Sequence, residues 1–214
     1  MKMPQNPTNH KNDEHYKKAK TEGYRARSAY KLIDIQNRYK IFKRVFYVLD
    51  IGSAPGSWLQ VAKKYTERNL ELYNDNHYHR DHYKIMGVDI KTVSPIEGIV
   101  TVKMNVSNPR FQDHLTDYFG RQKLDLMISD ASIKKSGHKL HDQVRQIGLC
   151  QHVLDLAKTN LKQKGTLILK SFQGSEFDLF YHRTKKIFRI FKAYKPKSSK
   201  KQSNEIYLIG IDMK

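Results

Sequence analysis

Six β-rich segments alternate with helical segments along the chain, and this alternation constrains the fold more than any other feature of the sequence. The strand candidates are residues 45–51, 84–90, 99–104, 124–129, 165–171 and 205–211. Such alternation is typical of βαβ units, in which largely parallel strands form a sheet with helices on both faces. We therefore predict an α/β fold.

The helices are predicted from the spacing of apolar residues. Residues 28–38 carry apolar side chains at helical spacing, which predicts a helix before the first strand. The longest helix is predicted over residues 141–161, with a buried stripe made of Val144, Ile147, Gly148, Cys150, Val153, Leu154 and Ala157. Residues 67–84 are rich in Asn, Asp, His and Tyr, which predicts an extended surface loop.

A length of 214 residues suffices for one α/β domain and is marginal for two. Residues 1–20 lack periodic apolar positions, so we predict a flexible basic lead-in there, with order beginning near Tyr24 and a single domain over residues 21–214. His77, His79 and His82 lie in the polar loop, where solvated side chains are the favoured interpretation and no metal site is predicted.

Lysine and arginine total 40 against 21 aspartates and glutamates, which gives a formal net charge of +19. This charge favours a polyanionic partner, and nucleic acid is the first candidate because basic side chains that neutralise phosphates release counterions. A lysine-rich genome is the alternative explanation. Net charge alone leaves both open.

Cys150 is the only cysteine, which excludes an intramolecular disulfide and a cysteine-based zinc site and predicts a reducing, intracellular compartment. No apolar run approaches the roughly 20 residues of a membrane span, so we expect a soluble protein without a membrane partner. The cytoplasm is the default location, with the mitochondrion and the nucleolus as alternatives. A monomer is the default oligomeric state.

A glycine turn at residues 50–58 follows the first strand candidate and opens a helix. Nucleotide-like ligands bind at this place in an open α/β sheet, because glycines let the backbone approach the ligand closely. Gly52 and Gly56 are separated by three residues, a spacing that disfavours the dinucleotide motif of NAD-binding proteins. A purely structural turn is the alternative.

Polar residues stand at or near the ends of later strand candidates. Asp89 is placed where an acidic side chain can bond both ribose hydroxyls of a nucleoside, or else cap a helix. Asn105 can hydrogen-bond an adenine edge or form a turn. Lys170 lies within an apolar run, where it is a candidate general base; a lysine that reaches water from the strand end is the alternative.

From residue 20 onward the sequence resembles the FtsJ-type RNA 2′-O-ribose methyltransferases, also called RrmJ-type. The matching blocks occur in the family's order and are Arg25-Ala-Arg-Ser-Ala-Tyr-Lys31-Leu, Asp50-Ile-Gly-Ser-Ala-Pro-Gly-Ser-Trp58, Ser129-Asp130, Lys170-Ser-Phe-Gln-Gly174, Lys195-Pro-Lys-Ser-Ser199 and Ser203-Asn-Glu205-Ile-Tyr207. The resemblance implies a Rossmann-like methyltransferase fold that uses S-adenosyl-L-methionine, with a mostly parallel seven-stranded sheet and an antiparallel last strand.

The resemblance also implies site residues. The catalytic tetrad falls on Lys31, Asp130, Lys170 and Glu205. The methyl-donor positions are Gly52, Ala54, Pro55, Gly56, Ser57, Trp58, Asp89, Ile90, Asn105 and Asp130. Two positions depart from the family pattern. Ser57 replaces a second glycine, and Asn105 replaces an aspartate that meets the adenine amino group, although the asparagine oxygen can still accept that bond.

The implied reaction is methyl transfer to a ribose 2′-hydroxyl of RNA, with a uridine of large-subunit ribosomal RNA as the first candidate. Lys170 would take the hydroxyl proton while Lys31 holds the ribose oxygen or a phosphate. The expected partner is ribosomal RNA or the large ribosomal subunit, and not DNA, which lacks the acceptor hydroxyl. The predicted RNA surface comprises two basic clusters, Lys17, Lys18, Lys20, Arg25 and Arg27, and Lys195, Lys197, Lys200 and Lys201.

Three alternatives remain open. The first is a transfer RNA substrate, and the second is a non-catalytic RNA-binding or ribosome-assembly protein of the same fold, with Asn105 as its symptom. The third is a methyltransferase for small molecules, since one fold serves many substrates. The complete tetrad disfavours the second alternative, and the charge of +19 disfavours the third.

Overall fold

The computed structural model describes residues 14–73, 81–174, 176–200 and 202–214. The helices in these ranges are α1 (Glu14–Thr21), α2 (Ala29–Tyr39), α3 (Ser57–Tyr73), α4 (Phe111–Phe119), α5 (Lys139–Asn160) and α6 (Phe177–Lys185). The strands are β1 (Tyr47–Ile51), β2 (Lys84–Asp89), β3 (Ile99–Lys103), β4 (Leu124–Ser129), β5 (Leu161–Phe172), β6 (Phe188–Tyr194) and β7 (Glu205–Met213).

These strands form one sheet in the order β3-β2-β1-β4-β5-β7-β6. Strands β1 to β5 are parallel, and β7 runs antiparallel between β5 and β6. The predicted α/β fold, with a mostly parallel seven-stranded sheet and an antiparallel last strand, is confirmed. The chain order reverses between β1 and β4, and the crevice outside the carboxyl ends of such strands is the usual ligand position in an open sheet.

Each face of the sheet has its own core. Alternate residues of a strand point to opposite faces, so Leu49 packs with residues of α4, α5 and α6, whereas Val48 packs with residues of α2 and α3. The helices therefore cover both faces, as the alternation of strands and helices predicts.

Strand β6 is absent from the six strand candidates. Its buried residues Phe188 and Phe191 are three positions apart, with the exposed Arg189 and Ile190 between them. This spacing departs from the two-residue period of a half-buried strand. β6 lies at the edge of the sheet and pairs with β7, so pairing with a neighbour, more than its own pattern, makes it a strand.

Two predicted boundaries are wrong. Helix α1 lies within the predicted flexible lead-in, because Ala19 buries its side chain and α1 packs on α2. The loop predicted from residue 67 begins later, because α3 continues to Tyr73 and its buried Asn69 donates to the carbonyls of Phe42 and Val45. Residues 1–13 and 74–80 of these two predictions lie outside the described residues.

The buried stripe of α5 also differs from the prediction. Val144 and Gly148 are exposed, and the buried residues are Asp142, Gln146, Cys150, Val153, Leu154 and Ala157. Asp142 is buried although acidic, because it accepts hydrogen bonds from the backbone N–H groups of Ser136 and Gly137. The amino-terminal half of this helix thus anchors the segment after β4 through polar side chains.

Within the described ranges, no helix combines the length and apolarity needed to cross a membrane. The same ranges contain no group of three or more histidine, cysteine or acidic side chains arranged to hold a metal ion. His82 contacts Tyr47 Oη at 3.0 Å and Asp81 Oδ1 at 2.5 Å. His77 and His79 lie outside the described residues.

Candidate active site

A cleft of about 460 Å³ lies at the carboxyl ends of β1, β2, β3 and β4, where the strand order reverses. Six of the predicted methyl-donor residues line it, namely Gly52, Ala54, Asp89, Ile90, Asn105 and Asp130. Residues far apart in the sequence meet here because parallel strands end at the same edge of the sheet.

Gly52 shapes the turn that begins this cleft. Its φ of +78° is a left-handed conformation that favours glycine, and its N–H donates to the carbonyl of Val88 at 2.8 Å. A Cβ atom at this position would lie 2.5 Å from the Cα atom of Ala131. A larger residue would therefore displace the segment that follows Asp130.

Asp89 and Asn105 fix the loops around the cleft. The Asp89 carboxylate accepts hydrogen bonds from the N–H groups of Ala54 at 2.9 Å and Lys91 at 2.8 Å. The side-chain oxygen of Asn105 accepts from the N–H of Ser107 at 2.9 Å. An oxygen of this kind has two lone pairs, so both side chains keep acceptor capacity for a ligand.

Two of the other predicted donor residues, Ser57 and Trp58, lie behind the cleft and do not line it. Both are 2% exposed. The Ser57 and Ser28 hydroxyl oxygens are 2.8 Å apart, and Trp58 Nε1 donates to the carbonyl oxygen of Ser28, also at 2.8 Å. These contacts join the start of α3 to the start of α2, the helix that carries Lys31.

The remaining two predicted donor residues, Pro55 and Gly56, lie against the guanidinium group of Arg25. Its Nη1 donates to the carbonyl oxygens of Pro55 at 3.1 Å and Ser94 at 2.6 Å, and its Nη2 donates to that of Pro95 at 2.7 Å. A Cβ atom on Gly56 would lie 2.8 Å from Arg25 Nη1. Arg25 was predicted to contact RNA, but three backbone carbonyls already engage its guanidinium.

The four tetrad residues form two ion pairs beside the cleft. Lys170 Nζ lies 3.0 Å from Asp130 Oδ1 and donates to the Asp130 carbonyl oxygen at 2.5 Å. Lys31 Nζ lies 2.6 Å from Glu205 Oε1. The four side chains are only 10–20% exposed, so their charges are weakly screened by water.

The Glu205 carboxylate is stabilised by its neighbours. Burial disfavours its charge, but the hydrogen bond and positive charge of Lys31, with contributions from Ser199 and Lys170, outweigh burial and lower the pKa of Glu205. Glu205 is therefore ionised at neutral pH and holds the amine of Lys31 in place.

Tyr207 links the two ion pairs, although the sequence interpretation did not select it as a site residue. It is fully buried, its hydroxyl donates to Asp130 Oδ1 at 2.5 Å, and Lys31 Nζ lies 5.7 Å from its ring centroid. Burial and the charges of Asp130 and Glu205 raise the pKa of Tyr207 well above its usual value, so the hydroxyl remains a donor. Its only sequence signal was its position two residues after Glu205.

We expect Tyr207→Phe to lower kcat by about 10- to 10²-fold, because a hydrogen bond to a charged group contributes roughly 1.5–3 kcal/mol. The aromatic ring and its packing are kept, so donor binding should not change. Steady-state transfer and donor titration measure the two effects separately. Equal losses in kcat and in donor affinity would contradict a role centred on Asp130.

Asp50 is a second residue that was not selected, although it opens the glycine-turn block. Its side chain is completely buried, and neither carboxyl oxygen has a hydrogen-bond partner among the described residues. Burial, followed by the negative charges of Asp130 and Asp89, raises the pKa of Asp50 well above its usual value. A buried carboxyl without a partner is costly, and a nearby positive charge would offset that cost.

Gln146 on α5 is a third residue near the site that was not selected from the sequence. It is 1% exposed, and its amide makes three hydrogen bonds: Nε2 donates to the carbonyls of Ala131 at 3.2 Å and Lys170 at 2.9 Å, and Oε1 accepts from the N–H of Ile133 at 3.1 Å. The last paired residues of β4 and β5 are Ser129 and Leu169. Gln146 therefore joins the two chains just beyond their pairing, where Asp130 and Lys170 stand.

The two predicted basic clusters lie next to each other. Arg27 Nη2 donates to the carbonyl oxygen of Ser198 at 2.6 Å, and the Asp34 carboxylate accepts from the N–H of Lys197 at 2.7 Å. Lys17, Lys18, Lys20, Lys195, Lys197 and Lys200 are exposed. Lys201 lies outside the described residues. The contacts place these basic segments around the Lys31–Glu205 pair.

Comparisons with known proteins identify the family of the chain. Residues 24–213 match the family described as FtsJ-like methyltransferase. A Methanoculleus marisnigri protein named Ribosomal RNA large subunit methyltransferase E is 38% identical over 202 residues, which cover 94% of this chain and 92% of the relative. A protein of the same name from Wolbachia sp. subsp. Brugia malayi is 35% identical over 202 residues, covering 94% and 85%.

A solved structure gives the same result at the level of the fold. A Plasmodium falciparum chain described as a ribosomal RNA methyltransferase superposes with a TM-score of 0.73 at 28% identity, covering 89% of this chain and 98% of that chain. The family match spans nearly all described residues, and both relatives share more than 30% identity with the chain. The chain therefore belongs to the family of FtsJ-like methyltransferases.

Proposed function

We propose that this protein transfers a methyl group from S-adenosyl-L-methionine to a ribose 2′-hydroxyl of large-subunit ribosomal RNA. The observation that carries the proposal is the pairing of Lys31 with Glu205 and of Lys170 with Asp130 beside the cleft. Two amines fixed by two carboxylates can hold a hydroxyl group and accept its proton. The ribosomal substrate is supported by the names of the relatives.

The cleft offers groups that suit S-adenosyl-L-methionine. Asp89, Asn105 and the exposed Ile90 line the cleft, where Asp89 can bond ribose hydroxyls and the other two can contact the adenine ring. Asp50 is fully buried two residues before Gly52 and does not line the cleft itself, so its carboxylate would stabilise the positive charge of the donor from behind the cleft wall. When bound, the donor supplies a methyl group on a positively charged sulfur.

Lys170 is the base in the proposed reaction. In its neutral form its amine would take the proton of the 2′-hydroxyl as the hydroxyl oxygen receives the methyl group. Asp130 stabilises the ammonium group that results, and Tyr207 fixes Asp130. Lys31, held by Glu205, donates a hydrogen bond to the ribose oxygen or to a neighbouring phosphate. Holding the reactants in place contributes further to the rate.

The test is to incubate the protein with methyl-labelled S-adenosyl-L-methionine and, in parallel, with large ribosomal subunits, protein-free ribosomal RNA and transfer RNA. Ribose methylation is then mapped by nucleotide. We expect label on one ribose of large-subunit RNA. Label on transfer RNA alone would overturn the substrate, and measurable donor binding without label on any RNA would overturn the enzymatic proposal.

We expect donor affinity to rise with pH because of Asp50. Its pKa is raised in the free protein, and a cationic donor favours the carboxylate, so binding releases a proton and the dissociation constant falls by up to about tenfold per pH unit. Calorimetric titration at mildly acidic to neutral pH, in buffers of different ionisation enthalpy, measures both the affinity and the released proton. A pH-independent affinity would contradict the assignment.

Asp50→Asn is the matched variant for this measurement. It should bind the donor more weakly and without the pH dependence. A raised folded-state pKa means that Asp50 loses stabilising free energy as pH rises from its unfolded-state value. Asparagine does not titrate, so the variant does not lose stabilising free energy in this way. Without donor, the unfolding temperature of the variant should therefore exceed that of the parent protein by an amount that grows with pH.

A further inference from the structure

A basic groove lies at the end of the sheet opposite to the active site. It consists of two adjoining clefts of about 530 and 320 Å³ that share Lys164 and Asp212. Its walls come from the turn between α2 and β1, the amino ends of β4 and β5, and the end of β7. Lys164 and Lys170 stand towards opposite ends of β5, so the groove lies about 20 Å from the catalytic lysine along this strand.

Positive charge exceeds negative charge in this groove. Seven basic residues line it: Lys40, Lys43, Arg44, Lys162, Lys164, Arg189 and Lys214. Its two acidic residues are already engaged, because Asp125 pairs with Lys162 and Asp212 lies 3.7 Å from Arg189. Lys40, Lys43 and Lys164 are exposed and form no ion pair with a carboxylate of the described residues. A ligand in the groove therefore meets excess positive charge.

The backbone of the groove provides an independent observation. Lys40, Arg44, Lys164 and Asp212 have φ values of 55°, 57°, 62° and 58°, and among the described residues they are the four non-glycine residues with positive φ. Glycine would avoid the steric cost of this conformation. Three of the four positions nevertheless carry a cation. Lys40 ends α2 in the left-handed conformation that commonly terminates helices, where glycine is the usual residue. The use of a cation in place of glycine at three of the four positions supports a role for these charges.

We propose that this groove binds the phosphodiester backbone of the RNA substrate, at a part of the folded RNA remote from the methylated ribose. The inference rests on the proposed function, in which RNA is the substrate. Repeated phosphates match lysines distributed along an open groove, since each contact releases counterions and needs no particular base. A large folded RNA can contact both ends of the sheet at once.

The test uses the variant Lys40→Gly/Lys43→Gln/Lys164→Gly. Glycine relieves the left-handed conformation at two of the positions, so the variant should unfold at the same temperature as the parent protein or above it. We expect its affinity for protein-free large-subunit ribosomal RNA to fall about tenfold, and the slope of log affinity against log salt to decrease by about 0.9 per lost phosphate contact. The KM for this RNA should rise while kcat and donor affinity stay unchanged.

The matched control is Lys103→Gln/Arg110→Gln/Arg121→Gln, which removes the same charge from exposed positions near β3 and α4. The control should keep the parent salt dependence. An equal decrease of RNA affinity in both variants would show that only net charge matters and would overturn the proposed role of the groove. The proposal would also be overturned if the groove variant bound RNA as tightly as the parent protein.

Two further outcomes separate this inference from the proposed function. In the first, the parent protein methylates ribosomal RNA, and the groove variant binds and methylates protein-free RNA like the parent but is weaker on assembled subunits. The partner of the groove is then an acidic protein, and the RNA assignment is overturned. If the parent protein methylates no RNA despite binding the donor, the proposed function fails, and the groove inference fails with it.

Discussion

Replacing Lys170 with alanine is expected to lower methyl transfer by about 10²–10⁴-fold while leaving donor affinity nearly unchanged. The reason is geometric, because Lys170 is held against Asp130 and its amine does not support the turn that carries Gly52. Single-turnover transfer to ribosomal RNA measures the chemical step, and calorimetric titration measures donor binding. A loss of donor affinity as large as the loss of rate would contradict the role of Lys170 as the base.

Lys170→Arg is the control for this prediction. It keeps a cation beside Asp130, but a guanidinium does not lose its proton in a protein. We therefore expect it to bind donor and RNA like the parent protein and to transfer as slowly as the alanine variant. Transfer that survives in Lys170→Arg would show that Lys170 acts through its charge and not as a base.

Gln146→Leu is expected to lower kcat about 10²-fold, because small displacements of reacting groups have effects of this size. The variant removes the donors to the carbonyls of Ala131 and Lys170 and the acceptor for the N–H of Ile133. The carbonyl of Lys170 keeps its contact with Cys150, so two buried polar groups are left without this partner. At about 1–3 kcal/mol for each group, the midpoint of thermal unfolding should also fall by about 4 °C or more. Transfer is assayed well below this midpoint.

Cys150→Ala is the control that distinguishes an effect on the placement of Asp130 and Lys170 from a general loss of protein stability. Cys150 lies one turn further along α5 and contacts the same carbonyl of Lys170 at 3.2 Å, but it does not bond the segment after β4. Burial raises the pKa of Cys150 to about 12, so it is a neutral thiol. We expect this variant to lose stability and keep its kcat. A parallel fall of kcat in both variants would contradict a specific role for Gln146 in holding Asp130 next to Lys170.

The tetrad could be predicted from the sequence because its four residues lie in motif blocks whose order matches a family. The structure pairs all four of them. The clustering of six predicted residues around one cleft could also be predicted, since they lie at or just beyond the ends of strands that the apolar pattern identifies. Local sequence patterns are therefore sufficient to predict which residues follow the buried strands.

The supporting contacts could not be predicted, because they depend on how distant segments pack. A glutamine within a helix is normally exposed, and Gln146 is buried only because α5 packs against the ends of β4 and β5. Arg25 looked like a residue of an RNA surface because nothing in its neighbourhood indicates that residues 94 and 95 lie beside it. The burial of Asp50 depends on strands on both sides, whose pairing no local pattern fixes.

The two ion pairs of the tetrad join parts of the chain that are synthesised at different times. All residues that line the cleft precede residue 150. The same is true of the three carbonyl groups that accept hydrogen bonds from Arg25. Lys31, by contrast, needs Glu205, and Arg27 bonds Ser198 across 171 residues of chain. A nascent chain can complete the donor half of the site first, and it acquires the acceptor half only when β7 leaves the ribosome and inserts between β5 and β6.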